Sequence, residues 1–195
     1  MKLKILLTCL LLTFGYAGQA CKCGGPGSVE ESYGYAGVVV HGIVESKSLI
    51  SFEETLSPDK VDEVKRSLSM HQEFFEACLV YEVRLRVIES YKNEVDKVVT
   101  IFTTNRGASC GFRFQLGQEY IVYANEKVNL HSFFFTEKGD NIQRQNTYWT
   151  NRCTRTAEFS EREACALEEI KKENYELSLP DVLNPYHQTS LVVMP

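Results

Sequence analysis

The chain has 195 residues, with 26 acidic and 21 basic side chains and a formal charge of −5. That balance argues against a nucleic-acid partner, which needs a basic face to displace counterions. The length suits one domain with an adequate core, and no apolar run beyond the first twenty residues is long enough for a membrane span.

Residues 1–20 have the three parts of a secretory signal. Lys2 and Lys4 form a basic start, Ile5 to Phe14 an apolar centre, and Gly18-Gln19-Ala20 a small-residue cleavage site. A lipoprotein signal is the competing reading, because Cys21 follows directly, although Gly18 stands where such signals usually carry Leu. Cleavage after Ala20 would leave a mature chain of 21–195, exported to the periplasm or the exterior. Losing two lysines and no acid would take its charge from −5 to −7. Cys21 would then carry both a thiol and the free α-amino group, with Cys23 two positions on. Cys9 leaves with the signal. Cys21, Cys23, Cys78, Cys110, Cys153 and Cys165 remain, and an even count in an exported chain favours disulfides. Spacing alone does not choose among the possible pairings.

In chain order, Ser28-Val29-Glu30-Glu31 reads as a capping box opening a short helix to about Tyr33. Val38–Val44 is β-branched and predicts a first strand, with Gly42 at a bulge or bend. Residues 46–76 read as an insertion. Ser57-Pro58 suits a helix start, and Val61, Val64 and Leu68 recur at helical spacing. Leu79–Tyr91 alternates, with Leu79, Tyr81, Val83, Leu85 and Val87 on one face and Glu82, Arg84 and Arg86 on the other. Val98–Thr104, Glu119–Ala124 and Ser132–Thr136 predict three more strands, and 139–152 reads as turns. Ser160 and Glu163 form a second capping box, before a helix ending near Asn174. Residues 176–195 form a tail draped on the surface or mobile. The expected architecture is mainly β, a small closed antiparallel barrel with helices outside.

Three motifs, in this order and spacing, carry a resemblance. They are Cys21-Lys22-Cys23 at a mature N-terminus; Ser109-Cys110-Gly111-Phe112 with Gly117–Ala124 after it; and Asn151-Arg152-Cys153-Thr154-Arg155-Thr156 before the last helix. Together they resemble the netrin-like domain of the tissue inhibitors of metalloproteinases, over residues 21 to about 170. The resemblance implies an OB-type five-stranded closed barrel spanning 21–175. It also implies bridges Cys21–Cys110 and Cys23–Cys153. Cys78 and Cys165 have no clear family counterpart; they are expected to pair as the remaining two, with two buried thiols as the alternative. The animal inhibitors add a disulfide-rich second subdomain. No cysteine follows Cys165, so the resemblance implies a single-domain, bacterial-type relative.

What the resemblance implies for function is inhibition of a zinc endopeptidase. The Cys21 amine, with an ordinary pKa of roughly 8, and the Cys21 carbonyl would chelate the target's catalytic zinc and displace its nucleophilic water. Lys22 would enter the specificity pocket, where the animal inhibitors carry a small residue. Burying a lysine in an apolar pocket costs desolvation, so an acidic or open pocket is implied. Cys23, Gly24 and Gly25 would line the contact. The protein would be no enzyme and hold no cofactor of its own, the zinc being the target's. The alternative is a non-inhibitory netrin-like module of the cell envelope, binding another extracytoplasmic protein through the 46–76 face.

Other patterns carry less. His41, His71, His131 and His187 are scattered. Gly24-Gly25-Pro26-Gly27 lacks the Lys-Ser/Thr of a phosphate loop and reads as a slim segment able to enter a cleft. Phe133–Phe135 reads as strand core rather than a stacking platform.

Overall fold

The computed structural model describes residues 23–67, 78–105, 110–126 and 143–178. The expected signal segment 1–20, Cys21, Lys22, the strand expected at Ser132–Thr136 and the tail beyond Ser178 lie outside the described residues.

Helix α1 (Val29–Tyr35) begins at the predicted capping box. The Ser28 hydroxyl accepts from the Glu31 N–H at 3.1 Å, and the Glu31 carboxylate accepts from the Ser28 N–H at 3.0 Å. Its last carbonyls, at Tyr33 and Gly34, accept from the Lys92 ammonium at 2.6 and 3.1 Å. That contact satisfies acceptors a helix end otherwise leaves bare.

Strands β1 (Val38–Ser51) and β2 (Leu79–Lys92) pair antiparallel from Val39↔Lys92 to Ser51↔Leu79. The first strand was expected to stop at Val44. It continues because residues beyond Val44 find partners along β2, so the excursion between the strands shrinks to 52–78. The β1 register shifts between His41 and Gly42. A Cβ on Gly42 would stand 2.6 Å from the Arg86 carbonyl oxygen, so this close approach requires glycine.

Strand β3 (Val98–Thr104) pairs antiparallel with β2, and β4 (Glu119–Ala124) with the other side of β1. Strand β5 (Thr147–Trp149) runs parallel to β3, and β6 (Ala157–Glu158) lies on β4. The result is one curled six-stranded sheet in the order β5-β3-β2-β1-β4-β6. Its curl brings Asn125 to Trp149, joined by N–H···O contacts of 3.0 and 2.7 Å. Among the described residues the closing edge is this single bridge, not a continuous ladder. The coarse expectation of a mainly β fold with flanking helices therefore holds, whereas six strands stand in place of five. Thr147–Trp149 also corrects the turn reading of 139–152. Its three residues are too few to show a period in the sequence and are strand because β3 supplies the partner.

Three apolar clusters result. The inner one joins Val38, Val40, Val44, Val83, Leu85, Val99, Ile101, Phe114, Tyr120 and Val122 inside the curl. Val83, Leu85 and Val87 follow the predicted alternation, while Leu79 is exposed. A second cluster lies under the inserted arm, with its turn Glu53–Thr55 and helix α2 (Val61–Ser67). There Phe52, Leu56 and Val64 pack on Val80, Phe102 and Trp149. In the third, helix α3 (Glu161–Ser178) sets Leu167 against Val39, Tyr91, Ile121 and Tyr123. Helix α3 continues past the predicted end near Asn174. No helix among the described residues is long and apolar enough to cross a membrane.

Candidate functional site

The corner where the described N-terminal segment meets the sheet is fastened by disulfides. Cys23 is bonded to Cys153 across 130 residues of sequence, with 5.1 Å between the Cα atoms. Cys110 is disulfide-bonded as well; Cys21, its expected partner, lies outside the described residues. The sulfurs of Cys23, Cys110 and Cys153 all lie within 4.8 Å of one another. Being oxidised, they offer no thiolate for a metal ion.

Local backbone chemistry explains why these cysteines meet. Cys110 adopts φ 59°, and a Cβ on Gly111 would fall 1.7 Å from the Thr104 carbonyl oxygen. Only glycine permits that approach, and it turns the chain back over the end of β3. The Phe112 N–H donates to the Thr103 hydroxyl at 2.8 Å. On the facing loop, the Asn151 side-chain oxygen accepts from the N–H groups of Cys153 and Thr154 at 2.7 and 3.2 Å, an Asx turn that presents Cys153. The Arg152 N–H donates to the Cys110 carbonyl at 2.7 Å and ties the two loops together.

Gly24 to Gly27 leave this corner exposed. A Cβ on Gly24 or Gly25 would meet nothing within 4 Å, and Gly25 has φ +83°. The segment is thin, with Pro26 its one side chain, as the sequence suggested. Its far end is held by Arg155, whose Nη1 donates to the Gly27 carbonyl at 2.8 Å. Arg155 also donates through Nε and Nη2 to Glu163 on α3, at 2.8 and 3.2 Å. The Tyr123 hydroxyl donates to the same carboxylate at 2.8 Å. Burial, and then the hydrogen bond and charge of Glu163, push the Tyr123 phenol far above its ordinary value. For Arg155 burial acts downward, but the Glu163 hydrogen bond and charge outweigh it, so the guanidinium is held more firmly charged than usual. Below this unit the Thr150 and Thr156 hydroxyls bond to each other and to the Tyr123 carbonyl. A half-open cleft of about 270 Å³ lies alongside, between Gly25, Tyr35, Tyr123, Asn125, Cys153 and Arg155.

Of the expected site residues, Cys23, Gly24 and Gly25 are in this corner, whereas Cys21 and Lys22 lie outside the described residues. The Cys78–Cys165 bridge is not formed. Cys78 packs against the cluster under the inserted arm, and Cys165 stands on an exposed turn of α3 beside the separate cluster around Leu167. The Ser160–Glu163 capping box is likewise replaced, since Glu163 turns its carboxylate to Tyr123 and Arg155. The roles of Arg155, Glu163 and Tyr123 escaped the sequence reading. The available signals were that Arg155 and Tyr123 fall within motifs already singled out and that Glu163 was read as a cap. His41 is mostly buried, stacked on Phe159 at 4.1 Å between centroids, with Nε2 2.9 Å from Glu119. This is a packing role. His71, His131, His187 and Phe133–Phe135 lie outside the described residues. No protein-family profile matches this chain, and no curated protein matches it.

Proposed function

We propose that the protein is an exported inhibitor of zinc endopeptidases, with an N-terminus at Cys21 that chelates the target's catalytic metal. The observation that carries the reading is the Cys23–Cys153 bridge, formed where the resemblance expects it and within 4.8 Å of a second oxidised cysteine, Cys110. The pairing of Cys110 with Cys21 belongs to the proposal. So does an OB-type barrel, for which the parallel β3–β5 pair and the Asn125–Trp149 bridge are the support.

In this reading Cys21 supplies amine and carbonyl to the target's zinc in place of the hydrolytic water. Lys22 enters the adjoining pocket, and Gly24 and Gly25 lie along the cleft. Fastening at Cys23 and at Gly27 reduces the ordering cost of binding. The protein is no enzyme in this scheme and needs no cofactor of its own. The test is an inhibition titration against a panel of zinc endopeptidases, comparing a chain that starts at Cys21 with one carrying an added alanine. Inhibition by the first alone supports the amine as ligand; inhibition by neither removes the proposal.

The second reading is a non-inhibitory netrin-like module of the cell envelope. Its support is the inserted arm, which builds its own apolar cluster and keeps Asp62, Glu63 and Arg66 exposed on α2. Such a module tolerates the added alanine without loss of binding.

A further inference from the structure

The loops that carry the disulfide corner also carry unbalanced positive charge. Arg113 and Arg152 are exposed and, with Phe112, line a cleft of about 340 Å³. Neither meets a carboxylate within ion-pair distance among the described residues. Lys47 joins them on the same segment. Its ammonium donates to the Phe114 carbonyl at 3.1 Å and sits 4.1 Å from the Tyr81 ring centroid, again without a carboxylate. The loops themselves hold no acidic residue, neither over 110–118 nor over 150–157. Three unanswered cations on a chain of charge −5 form a local inversion of sign. The backbone of Arg152 is fixed in place, since it directly precedes Cys153 and donates its N–H to Cys110.

We propose that the Arg113–Arg152 cleft is a docking surface for a carboxylate-rich protein, the acidic rim of the target endopeptidase's substrate cleft. The proposal rests on the inhibitor reading for the identity of the partner and on the charge distribution for its chemistry. Guanidinium forks match carboxylates in two-point contacts. Phe112 offers an apolar wall to the methylenes of Glu or Asp. An acidic rim would be steered to this corner and repelled by the rest of the molecule, which raises the association rate and sets the orientation. A nucleic-acid strand, acidic along its whole length, would meet the repulsive remainder.

The experiment uses a fluorescent oligoglutamate peptide titrated against the mature chain, the alanine-extended chain, R113Q/R152Q and R113E/R152E, with circular dichroism to verify each fold. The peptide should bind the first two alike, weaken about tenfold in the glutamine variant and be lost in the glutamate variant. Binding should also fall as salt rises from about 50 to about 300 mM. Equal affinity for all four proteins, or no binding to the parent at low salt, overturns the proposal. The two readings separate. Charge-dependent peptide binding without inhibition of any protease keeps the acidic-docking surface and removes the zinc mechanism. Equal inhibition and equal association rates for parent and R113E/R152E keep the zinc mechanism and remove this surface.

Discussion

The glycine segment 24–27 leads into α1 and the inserted arm 52–67 leaves the sheet after β1, and they are fixed to the sheet by opposite means. The arm spends its side chains: Phe52, Leu56 and Val64 are buried against Val80, Phe102 and Trp149. The glycine segment buries none, its one side chain, Pro26, being exposed, and it is held by one disulfide and by a guanidinium on the Gly27 carbonyl. Apolar packing buries the very side chains by which it fixes a segment. Covalent and backbone anchoring leaves a segment both fixed and accessible, as a chain that enters another protein's cleft must be.

The largest expected effect breaks the covalent side of this contrast. C23S/C153S removes a cross-link spanning 130 residues, and in the chain-entropy account this costs about 5 kcal/mol. Chemical denaturation should show that loss, and protease digestion should cut first near Gly24–Gly27. Next comes the apolar side. Phe52→Ala opens a cavity beside Trp149 and should cost about 3–5 kcal/mol, while the Cys23–Cys153 bridge still forms, as a thiol count would report. A smaller effect is expected at the polar anchor. Arg155→Gln removes charged hydrogen bonds to Glu163 and Gly27, worth about 1.5–3 kcal/mol together, and should loosen Gly27 without disturbing the arm. The last effect appears only in alkali. Burial first, then the nearby charges of Glu168 and Glu89, push the Tyr91 phenol up to about 12, and Tyr123 is raised further still. The unfolded chain gives up these protons near pH 10 and the folded chain does not. Stability is therefore complete below pH 10 and falls as pH rises from there toward 12 and beyond. Denaturation midpoints across that range check the sign, and Tyr123→Phe should flatten the decline.

The same contrast decides what could be read from the sequence. The Ser28–Glu31 box was legible because both partners lie within one helical turn. The alternation through Val83, Leu85 and Val87 was legible because the inner face of the curl is buried along that length. Strand β5 was not, because Thr147–Trp149 is a strand only through its distant parallel partner. Glu163 was misread for a related reason. Its spacing from Ser160 fits a cap, but Arg155 and Tyr123 arrive from the sheet and compete for the carboxylate. Cys23–Cys153 followed from a resemblance rather than from spacing, and the same route offered nothing for Cys78 and Cys165, which end up beside different apolar clusters.

The length of the Cys23–Cys153 bridge also has a consequence for biosynthesis. Cys23 is among the first of the described residues to be made, and Cys153 is near the last. During synthesis the glycine segment must therefore wait, unfastened, while both long strands, the arm and β4 are completed. Closure of so distant a pair comes late and slowly, and an oxidant supplied too early would find Cys23 beside the wrong sulfurs. The accessible corner is thus the part of the molecule finished last, and its yield should depend on the disulfide-isomerising capacity of the compartment more than on the stability of the sheet beneath it.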